Sequence, residues 1–161
     1  MTASEPSRCG ICGAIERIRA GKFPDFIAEL DHSYVILGDA QFYRGYCILF
    51  AKHHERELFL LPRSDALALA DELCSVAEAI NTVVHPLKLN YECLGNSEPH
   101  IHWHVFPRYQ SEEDDLRVAP VWVRPKEDRM RSLADDDRRV LIASLRSEIG
   151  KRIASARIPH D

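Results

Sequence analysis

The stretch His100-Ile101-His102-Trp103-His104-Val105-Phe106 decides how this chain is read. Histidine alternates with bulky apolar residues through it, and a β-strand sends successive side chains to opposite faces. Read as a strand, it puts the three histidines on one face, for chemistry, and Ile101, Trp103 and Val105 on the other, for the core. At ~3.3 Å of rise per residue the first and third Cα atoms stand ~13 Å apart, too far for all three imidazoles to converge easily on one ion. A division of labour follows, in which an outer histidine serves structure or a metal and the others do chemistry. A neutral imidazole can attack phosphorus when an acceptor holds its other nitrogen and fixes the tautomer. A second histidine on the same face can donate a hydrogen bond to a phosphate oxygen or to the leaving group.

Working outward, Gly95-Asn96-Ser97-Glu98-Pro99 is a turn-rich connection back to a second strand at residues 89–94. Upstream of that lies the strongest helical pattern, residues 64–84, with Ser64 as N-cap and Leu67, Ala70, Leu73, Cys74, Ala77, Ile80 and Val84 spaced three or four apart. Pro86 stops it. Residues 34–37 and 46–51 read as strands, the first followed by a Gly38-Asp39 turn and the second apolar enough to be covered on both faces. Residues 14–20 suit a short helix ended by Gly21.

Beyond Pro107 the chain is charged and proline-punctuated, with Trp122 and its flanking valines as the apolar island, until a capping-box pattern at Ser132 to Asp135. A helix is expected from there to about Ala156, with Leu141, Leu145, Ile149 and Ile153 on one stripe. The pattern predicts an α+β domain: an antiparallel sheet of about five strands, a long helix on one face and an additional C-terminal helix. Residues 1–8 read as a flexible tail, 9–109 as the domain bearing the motif, and 110–161 as an extension whose helix packs on the same domain.

The 161 residues, 45% of them apolar and with a net charge of −4, describe one ordinary globular domain. No apolar run approaches the ~20 residues of a membrane span, and residues 1–9 lack the pattern of a secretory signal, so a cytoplasmic protein is expected. The acid excess argues against a nucleic-acid partner. Five cysteines without a secretory signal argue against a disulfide framework. Cys47, Cys74 and Cys93 lie in apolar runs and read as core residues. Cys9-x-x-Cys12 reads as half of a metal knuckle.

His100-Ile-His102-Trp-His104-Val-Phe resembles the His-φ-His-φ-His-φ-φ motif of the histidine triad (HIT) family of nucleotide-binding hydrolases and transferases. The likeness extends through Gly95-Asn96-Ser97, Pro107-Arg108 and the Gly45 to His54 stretch, and so covers roughly residues 9–109. The resemblance implies His102 as the nucleophile on an α-phosphorus and His104 as the residue contacting the phosphate and helping the leaving group depart. Asn96 and Ser97 fall at phosphate-contacting positions. Asp39 resembles the family's ribose-binding acid, although a turn-forming Asp after Gly38 explains it equally. Asn90 resembles an asparagine near the phosphates, or is an inward strand Asn bonded to backbone.

In zinc-bearing members the ligands are two N-terminal cysteines, the histidine after a strand-ending lysine and the first triad histidine. By register these are Cys9, Cys12, His54 and His100, a closed Cys2His2 set that would be structural.

The resemblance further implies a homodimer and a small-molecule nucleotide substrate, with no catalytic metal. The favoured function is a hydrolase cleaving at the α-phosphate of dinucleoside polyphosphates or related nucleotidyl conjugates, through a nucleotidyl-histidine intermediate, to release a nucleoside monophosphate. A purine nucleoside phosphoramidase is the alternative within the family, and a nucleotide-binding module with little turnover or a histidine-rich metal protein are those of other classes. Trp122 either stacks on a base on the leaving-group side or packs at an interface or in the core.

Overall fold

A computed structural model describes residues 9–159, so the tail expected at residues 1–8 lies outside the described residues. Five strands, β1 (Phe26–Glu29), β2 (Ser33–Leu37), β3 (Cys47–Ala51), β4 (Lys88–Glu92) and β5 (His102–Arg108), form one antiparallel sheet in the order β1-β2-β3-β5-β4. Among the described residues five α-helices accompany them: α1 (Gly10–Arg19), α2 (Arg63–Val84), α3 (Asp114–Arg117), α4 (Lys126–Arg129) and α5 (Asp135–Arg152). The architecture is the α+β arrangement expected. Strand β1 carries no readable signal in the sequence, because four residues hold too little alternation to stand out; its pairing with β2 is what makes it a strand.

Helix α2 spans the expected region but starts at Arg63, with Pro62 as its N-cap residue. Ser64 does not cap it; its hydroxyl turns to Asp65 Oδ1 at 3.0 Å. The helix ends where His85 adopts a left-handed conformation, φ 46° and ψ 57°, and its N–H bonds to Asn81 O. Helix α5 begins at Asp135 with Ala134 as the N-cap residue, so the capping box at Ser132 does not form. Asp135, Asp136 and Asp137 in its first turn and Lys151 and Arg152 in its last oppose the helix dipole instead.

Both long helices cover one face of the sheet. Leu69, Val76 and Ile80 of α2 and Leu141, Leu145 and Ile149 of α5 pack with Leu49, Ile101, Trp103 and Val105 into the main core. Burying each such aliphatic side chain contributes ~1.5–3 kcal/mol before entropy is set against it. The phase of α2 overturns the reading of Cys74 as a core residue: positions 69, 76 and 80 face the sheet, which leaves Leu67 58% exposed and Cys74 exposed on a flank. Cys93, in the connection after β4, is exposed too, whereas Cys47 is buried as expected. Glu72 is buried because its carboxylate accepts from His32 N at 2.8 Å and Ser33 Oγ at 2.5 Å, tying α2 to the start of β2.

The opposite face is covered at its two ends by different material. Ala14, Ile15 and Ile18 of α1 pack on Tyr34, Ile36 and Phe50, while Ala40, Tyr43, Tyr46 and Val121 pack around Phe106. His102 pairs with Phe50 and His104 with Ile48, so both histidines lie on this face between the two covers.

Candidate functional site

The first triad histidine leaves the strand. His100 precedes β5, is buried, and directs Nδ1 toward Cys9 Sγ at 3.6 Å and Cys12 Sγ at 3.7 Å, while Nε2–H donates to Ala51 O at 2.8 Å. His54 completes the group, its Nδ1 3.3 Å from Cys12 Sγ, and one ligand atom from each of the four residues lies within 4.8 Å of every other. A tetrahedral zinc, with Zn–S of ~2.3 Å and Zn–N of ~2.0–2.1 Å, spaces sulfur and nitrogen ~3.6 Å apart. The donor set and its spacing are therefore compatible with a structural zinc. Burial and the neighbouring Cys9 thiol push the Cys12 thiol up to about 11, so holding Cys12 as a thiolate calls for a cation beside it. The backbone bond from His100 Nε2 fixes the tautomer that presents Nδ1. Glu98 accepts from Gly10 N at 2.8 Å and fastens the start of α1 to the connection before His100.

From His100 the remaining histidines form a directed chain of hydrogen bonds. His102 Nδ1–H donates to His100 O at 2.6 Å, which leaves Nε2 as a bare lone pair. That Nε2 faces His104 Nε2 at 3.1 Å, and His104 Nδ1 lies 2.6 Å from the Tyr46 hydroxyl. With Tyr46 O–H donating to Nδ1, His104 carries its proton on Nε2 and offers it toward His102. Burial and the adjacent His102 lower His104 to about 4, so it is a neutral donor. Burial raises Tyr46, keeping it protonated.

Tyr46 had no assigned role at the level of sequence, although it falls within the Gly45 to His54 stretch. Its ring stacks on Phe106 with centroids 4.0 Å apart and planes 8° apart. Gly38 makes room, since a Cβ there would stand 2.2 Å from the ring. Gln41 Nε2 donates to Tyr46 O at 2.9 Å and to Gly38 O at 2.8 Å, closing the loop beneath.

The other expected residues distribute unevenly. Asp39 is exposed in the turn after β2, and its charge reaches Tyr46. Asn96 and Ser97 are exposed in the β4–β5 connection, where Asn96 borders a cleft shared with Arg56, Cys93 and His100. Asn90 is opposite Phe106 on the histidine face, and its Oδ1 accepts from Arg108 Nη1 at 2.9 Å. Arg108 is buried, bonded to Glu112 through Nε at 3.0 Å and Nη2 at 2.8 Å, and also bonds Leu116 O and Ala119 O. Asn90 thus helps hold the segment after β5 against the sheet. That segment brings Trp122 to the site: its ring meets His104 edge-on at 5.3 Å and Phe106 at 5.6 Å, and its Nε1–H donates to Glu92.

Comparison with known proteins bears on the family and the fold. The model of the HIT domain matches residues 22–111. No curated protein matches the chain. Among solved structures, a histidine triad (HIT) protein of Sinorhizobium meliloti is similar over 89% of this chain and 99% of its own, at 21% identity and a TM-score of 0.69. A hypothetical histidine triad nucleotide-binding protein of Sulfolobus tokodaii is similar over 87% and 93%, at 17% identity and a TM-score of 0.66. A zinc-bound histidine triad family protein of Mycobacterium smegmatis is similar over 91% and 96%, at 22% identity and a TM-score of 0.62. At these identities the structures speak for the fold, and the family model spans more than half of the chain, so this protein belongs to the HIT domain family.

Proposed function

We propose that the protein hydrolyses dinucleoside polyphosphates or related nucleotidyl conjugates at the α-phosphate, with His102 as nucleophile. The observation that carries this reading is the hydrogen-bond chain that holds His102 Nδ1–H on His100 O and leaves Nε2 unprotonated, facing His104. The Nε2 lone pair attacks the α-phosphorus, the bond to the leaving-group oxygen breaks, and that oxygen departs with the electron pair. Water then attacks the same phosphorus, the P–N bond returns its pair to Nε2, and one proton is released with the nucleoside monophosphate.

His104 Nε2–H, freed from His102 by the substrate, donates to a phosphate or bridging oxygen as charge develops. Because His104 is held neutral, it stabilises by hydrogen bonding rather than by delivering a ready proton. A phosphate leaving group departs as an anion, whereas an amine needs a proton, which favours anhydrides over phosphoramidates. Asp39 on the ribose and Asn90, Asn96 and Ser97 toward the phosphates belong to the same proposal.

Structural zinc on Cys9, Cys12, His54 and His100 is part of this reading, supported by the spacing of the four donors. The metal would supply rigidity at the His100 end of the strand, and the reaction would proceed on the side chains of His102 and His104. A homodimer in the cytoplasm completes the proposal, with exposed Leu67 of α2 and Tyr91 of edge strand β4 available for pairing; a monomer on sedimentation would remove that part.

The test is His102→Asn, assayed for AMP release from a diadenosine polyphosphate and from adenosine 5′-phosphoramidate. Turnover should fall at least ~10³-fold, as expected for loss of a nucleophile. Undiminished turnover in the variant would exclude the mechanism, and a wild type that binds nucleotide without turning it over would leave a binding module in its place.

A further inference from the structure

The segment after β5 does more than cover the sheet. Phe42 N bonds to Arg129 O at 3.3 Å, which draws α4 to the loop that also carries Asp39. The Arg129 guanidinium lies over the Trp122 ring, 4.7 Å from its centroid, and that ring in turn touches His104. Its charge reaches both Tyr46 and Glu92, which are on either side of His104.

Glu92 and Arg129, of opposite charge, are not equally committed. The Glu92 carboxylate already accepts the Trp122 indole N–H. Arg129 uses Nε alone, donating to Arg124 O at 3.0 Å, and its two Nη groups make no hydrogen bond to the described residues. Stacking on an aromatic ring holds a guanidinium in place without using its donors. The unspent hydrogen-bonding capacity of Arg129, one ring removed from His104, is therefore cationic, planar and partly buried, the combination that suits the oxygens of a phosphate.

We propose that Arg129, laid on Trp122 beside His104, recognises a further phosphate beyond the one attacked, so that the chain selects nucleotides bearing two or more phosphates. This deepens the nucleotide-hydrolase reading and rests on it. Trp122 is then a positioning residue for Arg129, latched to β4 through Glu92.

Binding rather than turnover tests the idea. AMP and ATP would be titrated calorimetrically into the wild type and Arg129→Gln, with thermal unfolding as a check that the substitution leaves the fold intact. The wild type should bind ATP about tenfold or more tighter than AMP, in keeping with a charge-assisted contact, and Arg129→Gln should bring ATP down to the AMP level while leaving AMP unchanged. A wild type that binds both equally, a variant that keeps the gap, or a variant that weakens both alike would each overturn the assignment while leaving the His102 mechanism standing. Failure of the wild type to bind either nucleotide would overturn the nucleotide reading and this one with it. Loss of turnover in His102→Asn with the binding gap intact would support both.

Discussion

At the scale of single residues, the site depends on which nitrogen of each imidazole carries the proton. Ala51 O fixes His100, His100 O fixes His102, and Tyr46 O–H fixes His104, so one carbonyl or hydroxyl settles each tautomer. Tyr46→Phe removes the last of these while keeping the ring stack on Phe106. His104 would then be free to take the other tautomer, and kcat should fall about tenfold with KM and thermal stability little changed. Steady-state kinetics beside a melting curve checks this; equal kcat in the two proteins would show that Tyr46 merely packs. The role of His102 follows from alternation along the strand, but that of Tyr46 does not. Its hydroxyl reaches His104 across 58 positions of sequence, through the pairing of β3 with β5 and the space left by Gly38.

At the scale of elements, the Cys9/Cys12/His54/His100 group joins the start of α1, the segment after β3 and the entry to β5. Zinc there would cross-link three elements that the chain keeps far apart, stabilising the fold as well as aligning His102. Cys9→Ser should lower zinc from about one per chain to well below it and should cost several degrees in Tm, measured by metal analysis and thermal unfolding. Metal-free wild-type protein that melts at the same temperature would sink the zinc assignment. The spacing Cys-x-x-Cys marks two ligands in the sequence, and the family resemblance supplied the others. Helix ends were harder to place: Ser64 and Ser132 have the chemistry of caps, yet neither caps, because Pro62 and Ala134 hold the entry positions.

At the scale of the whole molecule, the face opposite α2 and α5 is closed at one end by α1 and at the other by residues 40–46 together with Val121 of the segment after β5, with His102 and His104 between. The Arg108–Glu112 pair locks the second cover, with side chains only 4% and 2% exposed. Glu112→Gln would leave a buried guanidinium without its counter-charge and should destabilise the protein by about 3–5 kcal/mol, measured by denaturant unfolding. A loss below ~1 kcal/mol would show that water or another acceptor replaces the carboxylate. Because that cover carries Trp122 and Arg129, the variant should also weaken nucleotide binding beyond its effect on stability.

The sequence by itself determined the fold class, the long helix, the two-faced histidine strand and the four candidate metal donors. Each of these is written in local periodicity, short spacing or a family motif. Tertiary structure alone decided that Cys74 is exposed, that Tyr46 holds His104, that Asn90 is tied to Arg108, and that Trp122 lies against the site. These outcomes depend on the phase of a helix against a sheet and on contacts between residues distant in sequence. Local pattern constrains which face a side chain takes within its own element; what that face meets is set only when the elements pack together.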